Sequence, residues 1–127
     1  MFTQSAIDGG IEMRKELAKK IIETLEKFDF SVCSNEEQNG EMVAELEWYS
    51  EAGEDVVVTI WHKGTKQSFI DAFIEYAYDF DPDEHAEMWG EYRGEGGCPS
   101  SIRELIDDAD GIKKHLEETG DALRKVA

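Results

Sequence analysis

The sequence predicts an α+β fold: an N-terminal helix, a three-stranded antiparallel sheet, then two or three C-terminal helices, in one compact domain over residues 1–127. Three observations predict it. Apolar residues recur at helical spacing through 11–28, apolar and polar residues alternate through 42–50, and the helical period returns at Phe69 and continues to the C-terminus. With 40% apolar residues the chain can fill one hydrophobic core of the size its 127 residues allow.

The first helix is read over 11–28, where Ile11, Leu17, Ala18, Ile21, Ile22, Leu25 and Phe28 form a stripe after the breaker Gly9-Gly10. FSVCS then reads as a short strand, and NEEQNG ends in Asn39-Gly40, a hairpin-turn dipeptide. In the next strand Met42, Ala44, Leu46 and Trp48 point one way while Val43, Glu45, Glu47 and Tyr49 point the other. VVVTIW is an unbroken apolar run, which predicts a third strand covered on much of both faces. Beyond Gly64, Phe69, Ile70, Phe73, Ile74, Ala77 and Tyr78 share one helical stripe. Asp81-Pro82-Asp83-Glu84 then supplies a cap, a first-turn proline and first-turn acids, so a further helix starts there. The Gly-rich GEYRGEGGCPSS reads as a loop. Ser101 and Glu104 open the last helix with a capping box, and Ile102, Leu105, Ile106, Ala109, Ile112, Leu116 and Leu123 form its stripe, interrupted by Gly111 and Gly120. That stripe either docks on the core or lengthens into a dimer seam, so monomer and homodimer are both open.

Charge limits function more than any motif does. Thirty acids face thirteen bases, a formal net charge of −17, which repels nucleic acid and anionic membranes and attracts basic proteins. No Lys or Arg lies between Lys27 and Lys63, or between Lys66 and Arg93, so the acidity falls in two unscreened blocks. The order helix, three strands, helices resembles the double-stranded RNA-binding fold in topology. That module needs bases on its second helix, where this chain has Asp71, Glu75 and Asp79, so direct RNA binding is not expected.

Site chemistry is sparse. Asp79, Asp81 and Asp83 alternate as in a calcium loop, yet Glu84 stands where the turn glycine belongs and Gly90 where the bidentate glutamate belongs. Cys98 precedes a helix start, but no nearby residue marks His62, His85 or His115 as its base. No histidine pair has zinc spacing. The GEYRGEGG segment lacks both phosphate-binding glycine patterns. No cofactor or metal is therefore expected, and the protein is read as a non-enzyme. Cys33 and Cys98 form no CxxC pair, and no apolar run is long enough to span a membrane, which points to a cytoplasmic protein.

What remains is the acidic surface. Glu45 and Glu47 on one strand face would stand about 6.5–7 Å apart, comparable with neighbouring phosphates of a nucleic acid. Glu51, Glu54 and Asp55 extend that row at the hairpin end. Asp71, Glu75 and Asp79, at i, i+4 and i+8, form a second row, and Glu84, Glu87 and Glu91 a third, with Asp83 beside it as a further partner-binding candidate. Each like-charge pair on a helix costs about 0.2–0.5 kcal/mol, so rows that persist suggest use.

In size, composition and charge clustering the chain resembles the small acidic proteins of phages and mobile elements, the anti-CRISPR and antirestriction DNA mimics. That resemblance carries no shared motif and transfers no residue. It implies an inhibitor that mimics nucleic acid and blocks a DNA- or RNA-handling enzyme. The alternative is a non-enzymatic adaptor of a mobile element whose acidity serves solubility. Mimicry requires the acidic rows to converge near exposed Tyr49, Trp89 or Tyr92. An adaptor requires an exposed apolar patch along the last helix.

Overall fold

The structure, a computed structural model, describes residues 17–93, 95, 99 and 101–127. The fold is α+β, as the periodicities predict. Helix α1 (Lys19–Lys27) precedes strands β1 (Ser31–Gln38), β2 (Glu41–Tyr49) and β3 (Asp55–His62). Helices α2 (Lys66–Asp79), α3 (Pro82–Trp89) and α4 (Ile102–Lys125) follow, with one 3-10 turn at Gly90–Tyr92. The sheet is antiparallel in the order β1-β2-β3, so β1 and β3 are its edges.

Local chemistry sets the boundaries. Residues 11–16 of the expected first helix lie outside the described residues. Ala18, with ψ at 144°, is the cap, so α1 begins only at Lys19 although Leu17 is already buried. The Asn39-Gly40 turn is present, with positive φ at both residues (53° and 85°), the geometry that matches the twist of a two-residue hairpin. Because the turn takes only those two residues, β1 runs past the expected FSVCS, and Glu36, Glu37 and Gln38 pair with Val43, Met42 and Glu41. A bulge between Val32 and Ser34 inserts Cys33 as an extra residue in β1. Cys33 is a free, exposed thiol.

One face of the sheet makes the core. Met42, Ala44 and Leu46 of β2 and Val56, Val58 and Ile60 of β3 are buried with Ile21, Leu25, Phe30, Phe69, Phe73, Ile112 and Leu116. The expectation that β3 is covered on both faces fails: Val57 is 51% and Trp61 48% exposed. Helices lie against one face only, so the apolar run alternates in and out like any half-covered strand.

Thr65 and Ser68 form a reciprocal capping box for α2. Its inner stripe is Phe69, Ile70, Phe73 and Ala77; Tyr78, expected on that stripe, is instead 80% exposed, with Lys113 Nζ 5.8 Å from its ring centre. Lys113 also donates to the carbonyls of Ala77 (2.6 Å) and Tyr78 (2.7 Å), placing a cation at the negative end of α2. The Asp81 carboxylate accepts from the amides of Asp83 and Glu84, starting α3 as the sequence indicates. Likewise Ser101 Oγ accepts from the Glu104 amide at the start of α4. Neither Gly111 nor Gly120 interrupts α4. At Gly120 a Cβ would stand 3.4 Å from Ile74, which is how closely α2 and α4 approach. In the α4 stripe Leu105, Ala109, Ile112, Leu116 and Leu123 are buried, but Ile102 and Ile106 are exposed. No helix among the described residues is long and apolar enough to cross a membrane.

Candidate functional site

The open face of the sheet collects the first acidic block. Glu45 pairs across β3 with Thr59, Glu47 with Val57, and Tyr49 with Asp55, all on the face away from the helices. Hydrogen bonding to Asp55, reinforced by that carboxylate's charge, holds the Glu47 carboxyl above its usual range. The charges of Glu47 and Asp55 also raise the Tyr49 phenol. Desolvation, followed by the charges of Glu47, Glu45 and Asp55, raises the Cys33 thiol. Groups from all three strands thus share one negative field. A thiol so placed stays protonated and is a poor nucleophile.

The Glu47 shift has a defined sign. A carboxyl whose pKa is raised on folding binds its proton more readily in the native state. Its contribution to stability therefore falls as pH rises through the window just above the ordinary glutamate value of about 4.3. Asp55→Asn removes the neighbouring charge, and the Glu47 titration midpoint, followed by carboxyl-carbon NMR, should move down. An unmoved midpoint would show that Asp55 does not govern Glu47.

The second block meets the first beside β3. Thr59, Ile60 and Trp61 form one wall of a groove of about 470 Å³, opposite Ala72, Glu75, Tyr76 and Asp79 of α2. Phe80, Asp81 and, from α3, Glu84, His85 and Met88 complete it. Four of these twelve lining residues are acids and none is Lys or Arg. Asp81 is engaged as the α3 cap. Glu75, Asp79 and Glu84 make no hydrogen bond or ion pair among the described residues. Thr59 both lines the groove and pairs with Glu45, so the two blocks adjoin along β3.

The other expected binding residues scatter. Asp71 is exposed but accepts from Gln67 Nε2 (2.8 Å). Asp83 and Glu87 border a separate small hollow with Ile102 and Ile106 of α4. Glu91 is exposed in the 3-10 turn, near the exposed Trp89 and Tyr92. Glu51 lines a different hollow of about 820 Å³ with Asp29, Glu104, Asp107 and Glu118, where Lys114 supplies a base. Glu54 is a correction: it is only 6% exposed and bonds His85 Nε2 at 2.7 Å, so it is no contact residue. Its position in the turn points it inward, while Asp55, the next residue, points out.

Each histidine is engaged structurally. His62 Nε2 lies 2.8 Å from Asn35 Oδ1, its Nδ1 accepts from the Gly64 amide, and burial lowers its pKa. His115 Nε2 donates to the Phe28 carbonyl (2.7 Å), and its ring stacks on Trp48 at 4.0 Å. Cys98 lies outside the described residues. No group of three or more His, Cys, Asp or Glu among the described residues is arranged to hold a metal ion.

Sequence reasoning missed Trp61, Tyr76 and Met88 as groove residues. Trp61 could have been found by continuing the alternation of Val57 and Thr59 through a run read as covered on much of both faces. The other two become visible only once α2 and α3 are placed. Comparison of the chain with protein-family models, curated proteins and solved structures gives no match.

Proposed function

We propose that this protein binds a basic protein surface, as an inhibitor that mimics nucleic acid and occupies the phosphate-binding groove of a DNA- or RNA-handling enzyme, in the manner of anti-CRISPR and antirestriction proteins. One observation carries the reading: the two unscreened acidic blocks adjoin along β3, where Glu45, Glu47 and Asp55 on the sheet continue into Glu75, Asp79 and Glu84 in the groove. The raised pKa of Glu47 beside Asp55 fits it too, since an approaching cation relieves the repulsion between the two carboxylates. The activity is binding, and catalysis forms no part of it. Exposed Tyr49 and Trp61 supply apolar contact area among the acids, as buried interface anchors do.

The test compares tagged protein with an unrelated protein of equal size and charge as bait in cell lysate at about 0.15 M salt, where the screening length is about 8 Å. A nucleic-acid enzyme should be retained by this protein alone and released by duplex DNA, and its purified form should be inhibited. Retention of the same salt-sensitive set by both baits would reduce the acidity to solubility. The exposed Ile102 and Ile106 on α4 would then favour the adaptor reading, in which they contact the partner.

A further inference from the structure

We infer that the β3 groove takes an extended Lys- or Arg-bearing segment of the partner, which adds as a fourth strand to the edge of β3 that no other described strand covers; the inference rests on the basic-partner reading above. The two edges of the sheet differ. β1 carries a bulge and the charged pair Glu36 and Glu37, devices that blunt an edge against pairing. β3 pairs with β2 in unbroken register over all eight residues and contains no Lys, no Pro and no bulge. Between Asp55 and His62 it is wholly uncharged. Alternate residues of such a strand turn their N–H and C=O groups away from β2, a row of groups that pairs with no other described strand and can accept an added one.

Charge selects the occupant. Along that edge stand Glu75, Asp79 and Glu84, unpaired among the described residues, between the aromatic surfaces of Trp61, Tyr76 and Phe80. Carboxylates over apolar walls suit a guanidinium or ammonium carried on an aliphatic stem, which packs its methylenes on the rings and its charge on the acids. A second copy of this chain would bring the same acids against them, so self-pairing through β3 is opposed.

The probe is a fluorescein-labelled decapeptide alternating Arg and Val, followed by anisotropy at about 0.15 M salt, with a Glu-for-Arg version and an alternately N-methylated version as controls. The Arg peptide should bind, amides of β3 facing away from β2 should shift and gain exchange protection by NMR, and both controls should bind at least about tenfold more weakly. Trp61→Ala, and separately the triple variant Glu75→Gln, Asp79→Asn, Glu84→Gln, should also lose at least about tenfold. The charge-matched triple variant Glu117→Gln, Glu118→Gln, Asp121→Asn on exposed α4 positions should lose less than about twofold. All these side chains are at least partly exposed, and circular dichroism verifies that each variant folds. Equal loss in both triples, undiminished binding of the N-methylated peptide, no binding of the Arg peptide, or self-association through β3 would each overturn the inference. The two levels separate in the lysate experiment. A DNA-released enzyme retained equally by the wild type and the groove triple would leave the basic-partner reading standing and remove the groove as its docking place.

Discussion

Phe73→Ala should destabilise the protein by about 3–5 kcal/mol, the usual cost of deleting a fully buried aromatic ring. Phe73 is 0% exposed and lies edge-on to Phe30 at 6.0 Å and tilted against Phe69 at 6.3 Å. A Cβ at Gly120 would stand 3.8 Å from its ring, so it also fills the space where α2 meets α4. It shares one buried cluster with residues of the sheet, α1, α2 and α4, so a large space would be left at the centre of the core, which favours the upper part of the range. Domains of this size have about 5–15 kcal/mol in total, and a net charge of −17 subtracts from that through self-repulsion. The variant should therefore be partly unfolded at low ionic strength and recover with salt, as the screening length drops from about 10 Å at 0.1 M to about 3 Å at 1 M. Urea unfolding at both salt levels measures this. A loss below about 1 kcal/mol would mean that α2 does not seal the core as described.

Phe73 was legible in the sequence because a helical stripe of Phe69, Ile70, Phe73 and Ala77 has only one way to be buried. The same holds for Met42, Ala44 and Leu46, and for the Asn39-Gly40 turn, whose chemistry is local. β3 was misread for a physical reason. VVVTIW looks the same whether helices cover both faces or one, and its edge position follows from the strand order and from where α2 returns, which no window of sequence contains. Tyr78 sits at the margin of its stripe and faces outward, with Lys113 of a distant helix 5.8 Å from its ring centre, a contact that no window of sequence contains. Of the site, the identity and grouping of the acids were legible. Their meeting at Thr59 was not, since it depends on β3 pairing with β2 while packing beside α2. Glu54 shows the limit most sharply: nothing separates it from Asp55 by residue type, yet one is buried and the other exposed.

The inward turn of Glu54 leads to the second large effect, in the response to His85→Ala. Glu54 Oε2 has His85 Nε2 as its partner, and Oε1 is buried with no hydrogen-bond partner among the described residues. Removing the imidazole leaves the buried Glu54 carboxyl without its hydrogen bond, which costs about 1–3 kcal/mol. Replacing both residues by leucine removes the polar groups together and should be nearly neutral, so the double-mutant cycle should give a non-additive result. If the pair adds little net stability, its value lies in position. The Glu54 amide donates to Ser50 Oγ (3.0 Å), Ser50 Oγ donates to Asp108 Oδ2 (2.6 Å), and the Ala52 amide donates to Asp108 Oδ1 (3.2 Å). One chain of hydrogen bonds thus joins α3 through the β2–β3 turn to α4. It fixes the turn that presents Asp55 and the helix that presents Glu84 and Met88 to the groove. The doubly substituted protein should accordingly stay folded while the NMR amide signals of Asp55 and Glu84 shift together and broaden. A His85→Ala cost under about 1 kcal/mol would mean that Glu54 escapes to solvent, and the turn would then not be tied to α3 through this pair.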